Sequence, residues 1–522
     1  MILPTVSVFA GSLLRATHHF VVYLLAKWMW LLLVFLIGHF RRSITSYIFS
    51  RPEKTMITGM PTVFGQWLTS LSYHIVSSQI VRNGYIKAGG KLFAVPTLDK
   101  YHIFVSNREQ IEEVANAPIT QLSFTAAIDE ILHPHLVFSG FKFDPKDPHY
   151  VVPLHALKIS LRENLQSLIP VLQERLDLAF EAAFPAGKCA DRWLPFSPHK
   201  TCQTMVETLN NIVLVGQDLA NDQSYLETAM RYTRDVMITG EILRFTPPGL
   251  QTPIGWLAMT CSGAKAVVYE RVTSAIRDRM DHPRKDQEKP RDFLQWTIDG
   301  TRKKSPQTVN KLAQHAMGLL FGGAIQLSMI TSFALYNLCK HPEYLGPLRE
   351  EAAAAKRNKD QPFDHDQMYL MDSFLRETGR LNPTMILTMP RKVLAPFEFA
   401  DGTTVPVNNW IVVPQEALMQ DKAHYDDPQT FNGFRFVDST GKMHPSARFS
   451  SPSLTYTLWG GPKTACPGRF YASVVAKMIL ADFILNYDIK LADPSAPRFM
   501  KWSYTSIPHP LTRLLIRNRN SC

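Results

Sequence analysis

The residue types that could do chemistry in this chain converge first on one sulfur. Cys466 stands in a glycine-rich stretch (Leu458, Trp459, Gly460, Gly461, Pro462, Lys463, Thr464, Ala465, Cys466, Pro467, Gly468, Arg469, Phe470) that leads into an apolar segment. Phe470, Val474, Val475, Met478, Ile479, Phe483 and Leu485 then recur at helical spacing, which predicts a helix to about Asn486. A thiolate at a helix N-terminus is stabilised by the dipole and by the free N–H groups of the first turn, so Cys466 has the placement of a permanent metal ligand. A small buried hydrophobe is the competing reading of a lone cysteine. Glu377 and Arg380 form a second candidate group, three residues apart on one helical face. Phe374, Leu375 and Leu381 surround them, which predicts a desolvated ion pair with a third partner.

Gly322 and Gly323 lie inside a long apolar run, where each costs about 1 kcal/mol relative to alanine. Either a closely approaching helix or a ligand lying against bare backbone must offset that cost. Ser305 and Pro306 form a helix start, a capping serine before proline at the first helical position. The run then continues without a breaker to about Leu338, and its nearly all-round apolarity from Ala316 predicts a helix through the centre of the fold.

The elements around these groups read as mainly helical. Pieces from Leu154 to Phe184, with a break at Pro170, from Pro198 to Gly216, and from Asp366 to about Arg380 are predicted helices. A further helix, capped by Ser106 and Asn107, runs through Ala115. Short strands are predicted at Lys91–Val95, His102–Val105, Leu387–Val393, Phe397–Ala400 and Trp410–Val413, with a turn at Asp401 and Gly402. An irregular aromatic meander from His424 to Phe436 carries Arg435. Asp281–Lys304, highly charged and holding Pro283 and Pro290, reads as an exposed connector.

With 522 residues and a hydrophobic fraction of 45%, the chain can bury a large core. The net charge of +11 comes without a dense Lys/Arg tract interleaved with aromatics, which argues against nucleic-acid binding and for a basic surface facing an acidic partner or an anionic membrane. Cys189, Cys202, Cys261, Cys339, Cys466 and Cys522 show no clustered spacing, which predicts a reducing compartment with neither a zinc site nor a disulfide framework. Phe20–Gly38 holds Lys27 as its single charge and would span about 28 Å as a helix, close to a bilayer's hydrocarbon thickness. His39, Phe40, Arg41 and Arg42 follow it as a stop-transfer flank. Arg41, Arg42, Arg51 and Lys54 outnumber Arg15 on the other side, so the bulk of the chain is expected in the cytosol.

In this order, these pieces resemble the heme-thiolate monooxygenases, the cytochrome P-450 superfamily. The resemblance covers nearly the whole chain and rests on Glu377, Thr378, Gly379 and Arg380, on Phe431 to Phe436, and on Trp459 to Arg469. The wording around His341, Pro342, Glu343 and Tyr344 and around Ala465 to Phe470 is similar to the membrane-anchored fungal branch that oxidises terpenoids and other secondary metabolites. The resemblance implies a mainly α fold with small β-sheets. It places a single heme-binding catalytic domain over 46–522, behind an N-terminal segment, 1–45, with a membrane helix at about 20–38.

By the same resemblance, Cys466 is the axial thiolate on the iron of heme b, and Glu377, Arg380 and Arg435 are a structural triad. Gly322 and Gly323 leave room over the distal face, Arg391 and Lys158 pair with heme propionates, and Trp459 and Gly468 belong to the cofactor-holding loop. The implied partners are an NADPH-cytochrome P-450 reductase, dioxygen, a small hydrophobic substrate and a membrane, with the protein anchored once in the endoplasmic reticulum. Stretches such as Leu122–Ile128 and Ile386–Met389 are candidate pocket walls.

The chain departs from the family pattern in three places. Pro462 replaces a glycine, with Gly461 displaced by one, and Trp459 replaces a phenylalanine. Thr464 stands where a basic residue normally meets a propionate. Ile325 and Gln326 occupy the places of an acid and an alcohol that relay protons during oxygen activation, and Ser328 is about 200° round the helix from Gln326. Gln326 can hold a hydrogen bond but cannot act as a general acid near neutral pH. Three functions therefore stay open: an oxygenase that hydroxylates, epoxidises or desaturates; a heme-thiolate isomerase, dehydratase or cyclase; and a non-catalytic heme-binding protein.

Overall fold

The computed structural model describes residues 37–519 apart from 39, 42, 46, 49, 143–147, 186–191, 302–305 and 357–362. The expected membrane helix lies outside these residues except for its last two, and so does the capping Ser305. The chain just beyond it is docked. Ser43 Oγ donates to Leu98 O at 2.5 Å and Tyr47 Oη to Thr97 O at 2.8 Å, while Phe40 packs edge-on against Trp67.

Thirteen strands are described: β1 Met56–Ile57, β2 Phe93–Pro96, β3 Tyr101–Phe104, β4 Leu122–Ser123, β5 Leu194–Phe196, β6 Thr388–Val393, β7 Phe397–Glu398, β8 Thr404–Val405, β9 Trp410–Val413, β10 Tyr487–Leu491, β11 Phe499–Trp502, β12 Thr505–Pro508 and β13 Leu514–Asn518. Six of them make one sheet in the order β1-β2-β3-β9-β6-β4, and the rest form a three-stranded and two two-stranded sheets. The β6–β9 pairing shifts register between Thr388 and Arg391, where Met389 takes a left-handed φ of 55°. A bulge re-aims the side chains beside it, and here the next side chains are Pro390 and Arg391.

The remainder is largely helical, and twelve helices matter below: α1 Val63–Ala88, α2 Arg108–Asn116, α3 Phe124–Leu132, α4 Leu161–Ala183, α5 Pro198–Val215, α6 Gln223–Phe245, α7 Ala264–Asp281, α8 Phe293–Gly300, α9 Pro306–Lys340, α10 Leu345–Lys356, α11 Tyr369–Leu381 and α12 Arg469–Asn486. Helix α9 is the axis. It is apolar and long enough to cross a bilayer by composition, yet every residue from Leu327 to Leu338 is buried inside the protein, so it is a core helix. Its flank packs along α5, and α12, buried from Tyr471 to Ile484, joins the same apolar cluster.

Two sequence expectations fail. Helix α4 runs through Pro170 without a break, because that ring sits on the exposed face, where the carbonyl it displaces can turn to water. The segment leading into α4 carries a π-helical turn at Ala156–Ser160. Asp281–Lys304 is not wholly an exposed connector: Asp292 caps α8, which buries Phe293, Leu294 and Ile298. Local charge density concealed three apolar residues at helical spacing.

Helix α11 meets the cysteine loop through Gly379. A Cβ there would stand 2.7 Å from Leu458 Cδ2 and 3.0 Å from Tyr456 Oη. Overpacking of this kind costs about 1–3 kcal/mol, more than the roughly 1 kcal/mol of helix propensity that alanine gains. Gly379→Ala is therefore expected to lower the urea midpoint of the folded protein, and an unchanged midpoint would show that the loop is not seated on α11.

Candidate active site

The cysteine loop is held by its own backbone. Cys466 N donates to Trp459 O at 2.7 Å, closing a loop whose bend is made by Gly460 at φ 85°. A side chain at Gly461 would collide with Met389, 2.8 Å from its Cε, so the displaced glycine is where β6 and the loop come closest. Pro462 opens a single 3-10 turn, Pro462–Thr464, at a position that needs no N–H. Trp459 Nε1 donates to Phe449 O at 2.6 Å. Gly468 caps α12, and nothing lies within 4 Å of where its Cβ would be.

Cys466 remains solvent-accessible although protein surrounds most of its sulfur. Burial pushes its thiol up from the ordinary range, while the N–H groups of Gly468 and Arg469 and the Arg469 guanidinium pull the other way. These donors are already aimed at a negative sulfur.

Beneath the loop, Glu377, Arg380 and Arg435 come together. Arg380 binds the Glu377 carboxylate through Nε at 2.7 Å and Nη2 at 2.8 Å, with both side chains fully buried. Arg435 Nε donates to the same carboxylate at 3.1 and 3.2 Å, and Asn432 N adds a bond at 3.1 Å. The remaining donors tie down the meander: Arg380 Nη1 reaches Met419 O and Pro428 O, and Arg435 reaches Asp426 O and Thr430 O. Arg376, not singled out from the sequence, extends the cluster. Its guanidinium lies 3.8 Å over the Tyr456 ring and donates to Arg448 O and Ser451 O, the stretch leading to the cysteine loop.

Arg391 is buried, and among the described residues it meets no carboxylate; its Nη1 bonds Pro390 O at 3.0 Å, and its guanidinium faces Phe124 at 5.4 Å. A buried cation of this kind calls for an anion. Lys158 is exposed on the π-turn, one helical turn before Arg162. Arg162, which the sequence did not flag, is the nearer cation: it stands 4.5 Å over the Phe470 ring, with Arg469 at 4.3 Å from the same ring. An accessible thiol, an unpaired buried arginine, further cations at the loop and a half-exposed Phe124 together fit a planar, dianionic, iron-centred group.

On α9 the two glycines face different surroundings. Nothing lies within 4 Å of a Cβ at Gly322, whereas one at Gly323 would meet Asn210 Nδ2 at 3.1 Å. Gln326 shares the exposed face with Gly322, and its Nε2 approaches Met385 Sδ at 3.4 Å. Ile325 turns into the apolar cluster, and Ser328 is buried with its hydroxyl bonded to Ile325 O at 2.8 Å. Of the expected wall Ile386–Met389, Ile386, Leu387 and Met389 are buried and Thr388 is accessible; the preceding Met385, outside the expected stretch, is accessible too. Met385 bridges to Thr505, beside Tyr504, which receives a hydrogen bond from Arg244 Nη2 at 2.8 Å. Nearby, His74 keeps both ring nitrogens unpartnered, and burial lowers its pKa to about 4, so it is neutral at physiological pH.

A protein-family model described as Cytochrome P450 matches residues 194–515, more than half of the chain. Cytochrome P450 monooxygenase 151 of Postia placenta is 26% identical over 492 residues, which cover 92% of this chain and 97% of that protein. Cytochrome P450 monooxygenase penP of Penicillium crustosum is 27% identical over 492 residues, 90% of this chain and 92% of its own length. Cytochrome P450 monooxygenase paxP of Penicillium paxilli is 26% identical over 491 residues, 91% and 93% respectively.

Removing the Glu377 carboxylate strands two guanidinium groups, one of them fully buried. Breaking such a network from one side costs about 3–5 kcal/mol. Glu377→Ala is expected to yield little folded protein and a correspondingly lower urea midpoint; stability within about 1 kcal/mol of the parent would exclude the network as the clamp on the meander.

Proposed function

Because the chain belongs to the cytochrome P450 family, whose members are monooxygenases that bind heme through a cysteine thiolate, we propose that it hydroxylates, epoxidises or desaturates a hydrophobic, terpenoid-like secondary metabolite. The observation that carries this is the accessible Cys466 thiol, set at the head of α12 by a closed loop that rests on the buried Glu377 cluster. Bound heme supplies dioxygen activation with two electrons from a redox partner.

The chain's own residues supply the rest. Cys466 would hold the heme iron through its thiolate, whose negative charge the N–H groups of Gly468 and Arg469 stabilise. Arg391 would neutralise a carboxylate of the group, and Lys158 and Arg162 would add positive charge near the loop, where Thr464 carries none. Trp459 holds the loop through Phe449, and Gly468 leaves the approach to the sulfur clear. Gly322 would leave room beside the group, and Gln326 would orient a polar molecule there without donating a proton.

The substrate body meets Phe124 and Met385, apolar side chains that select against strongly polar molecules. Arg244, with one free Nη1, and the neutral His74 offer hydrogen bonds to an oxygen on that body. Glu241 already balances the Arg244 charge at 2.9 Å, which favours a hydroxyl or ketone over a carboxylate.

Electrons come from an NADPH-cytochrome P-450 reductase, and the apolar segment near 20–38 anchors residues 46–522 to the cytosolic face of the endoplasmic reticulum. A second reading, a heme-thiolate isomerase, dehydratase or cyclase, is favoured by Ile325 and Gln326 in place of an acid and an alcohol. The two separate by cofactor demand: the oxygenase forms product only with both NADPH and dioxygen, the alternative with neither.

Cys466→Ala tests the ligand itself. The reduced wild-type protein is expected to show the red-shifted carbon-monoxide band of thiolate-ligated ferrous heme and the variant to lack it; a variant that keeps the band would remove Cys466 from the site.

A further inference from the structure

Helix α5 is buried at every residue from Met205 to Val215, yet it carries a polar stripe. Gln203, Glu207 and Asn210 stand at i, i+4 and i+7, on one helical face. Glu207 is 3% exposed, and among the described residues it has no cationic partner; Gln203 Nε2 donates to its Oε1 at 2.8 Å. A buried carboxyl without a counter-charge is costly in ionised form, so burial holds this one toward its protonated state.

The stripe leads from solvent to α9. At its outer end Gln203 lines a cavity of about 440 Å³ between α5, α6 and α9, together with Lys200, Arg231, Ile325 and Ser328. At its inner end Asn210 Oδ1 accepts from Tyr471 Oη at 2.9 Å, while its buried Nδ2, without a hydrogen-bond partner among the described residues, points at Gly323. Cys202 lies against Ser332, so the two helices run antiparallel, and Glu207 falls alongside the turn of α9 that holds Gln326. Because Gly323 has no side chain, Asn210 Nδ2 lies directly against the backbone of α9, one residue from the open side at Gly322.

We propose that Glu207 is the proton donor to the distal side, taking the place of the acid that α9 lacks. In each turnover RH, O2, two electrons and two protons become ROH and water; without substrate, O2, two electrons and two protons become hydrogen peroxide. The electrons come from NADPH through the redox partner. The Glu207 O–H bond breaks, its proton passes inward past Asn210 to the open side of α9 at Gly322, and the carboxylate is reprotonated from the cavity past Gln203. Burial pushes the Glu207 carboxyl up to about 7, opposed by the Gln203 hydrogen bond. The ionisable groups nearest along α5 are His199, Lys200 and Cys202; α6 offers Glu227, Arg231 and Arg234, and α12 offers Tyr471, and none of them contributes to the shift. The group is therefore a proton carrier below neutral pH and an empty one above it.

This rests on the oxygenase proposal, and the test separates the two. The heme-loaded protein, with reductase and NADPH but no substrate, is assayed for O2 consumption in H2O and D2O across pH 6 to 9. Wild type is expected to consume O2 with a rate that falls above about pH 7 and a solvent isotope effect. Glu207→Gln is expected to be slower by about 100-fold at pH 6.5 and flat with pH, at unchanged heme content. Wild type that consumes no O2 overturns the oxygenase proposal and this one with it. Wild-type turnover matched by Glu207→Gln in rate and pH profile overturns Glu207 alone. Apart from turnover, infrared titration of the wild-type protein is expected to show a carboxylic C=O band that disappears above neutral pH and is absent from Glu207→Gln; its persistence in the variant overturns the proposal. Should Glu207→Gln not fold, Gln203→Leu keeps the carboxyl but cuts its link to the cavity, and an unchanged pH profile there overturns the path.

Discussion

One buried carboxylate, Glu377, sets the geometry on which the cysteine loop depends. From Asp421 to Phe436 the chain forms neither helix nor strand, so its carbonyl groups must find donors elsewhere. Arg380 and Arg435 supply them from a fixed planar fork, something a lysine could not do with the same geometry. Glu377 holds both forks in register at once. Such a network contributes little net stability compared with an apolar filling. Its effect is to give the meander one arrangement, and with it the surface on which Leu458 and Trp459 rest.

The central helix obeys a different constraint. Past Leu327 it is buried all round and is held by packing; before that point it must tolerate open space on one side and a neighbour on the other. Gly322 meets the first demand and Gly323 the second. The pair weakens the helix, and the continuous apolar run on either side offsets the loss. Rigidity is thus concentrated below the site, on α9 and α12, and the accessible chemistry lies where those helices lose their cover.

Much of this was legible in sequence because it depends on short-range patterns. Cys466 before an apolar helix, Glu377 and Arg380 one turn apart, proline at the start of α9 and the short apolar run of β9 are all local signals. Arg376, Arg162 and Asn210 were not legible, since their partners lie more than 70 residues away at Arg448, about 300 away at Phe470 and about 110 away at Gly323. Pro170 misled for a related reason: which face of a helix is exposed is a tertiary fact. The fold was therefore clearer than the site's periphery.

The departures become intelligible once position is separated from chemistry. Pro462 is tolerated because Gly460 makes the bend and Gly461 makes the close approach to Met389, so a glycine is still present where the geometry demands one. Thr464 removes a cation from the loop, but Arg162 reaches the same loop from α4, and Arg391 is re-aimed by the bulge at Met389. On α9 an isoleucine and a glutamine displace two proton-active side chains, and the adjacent helix carries a buried glutamate in the same layer. Under the oxygenase proposal the cation and the proton donor come from neighbouring elements, while the glycine stays within the loop. Interior space is shared between elements, so selection can act on the layer as readily as on the position, and a proton donor need only be buried, reachable from solvent and open toward the site. Glu207, Gln203 and the bare backbone at Gly323 meet those three conditions in that order, the first two on one face of α5 and the third on the facing turn of α9.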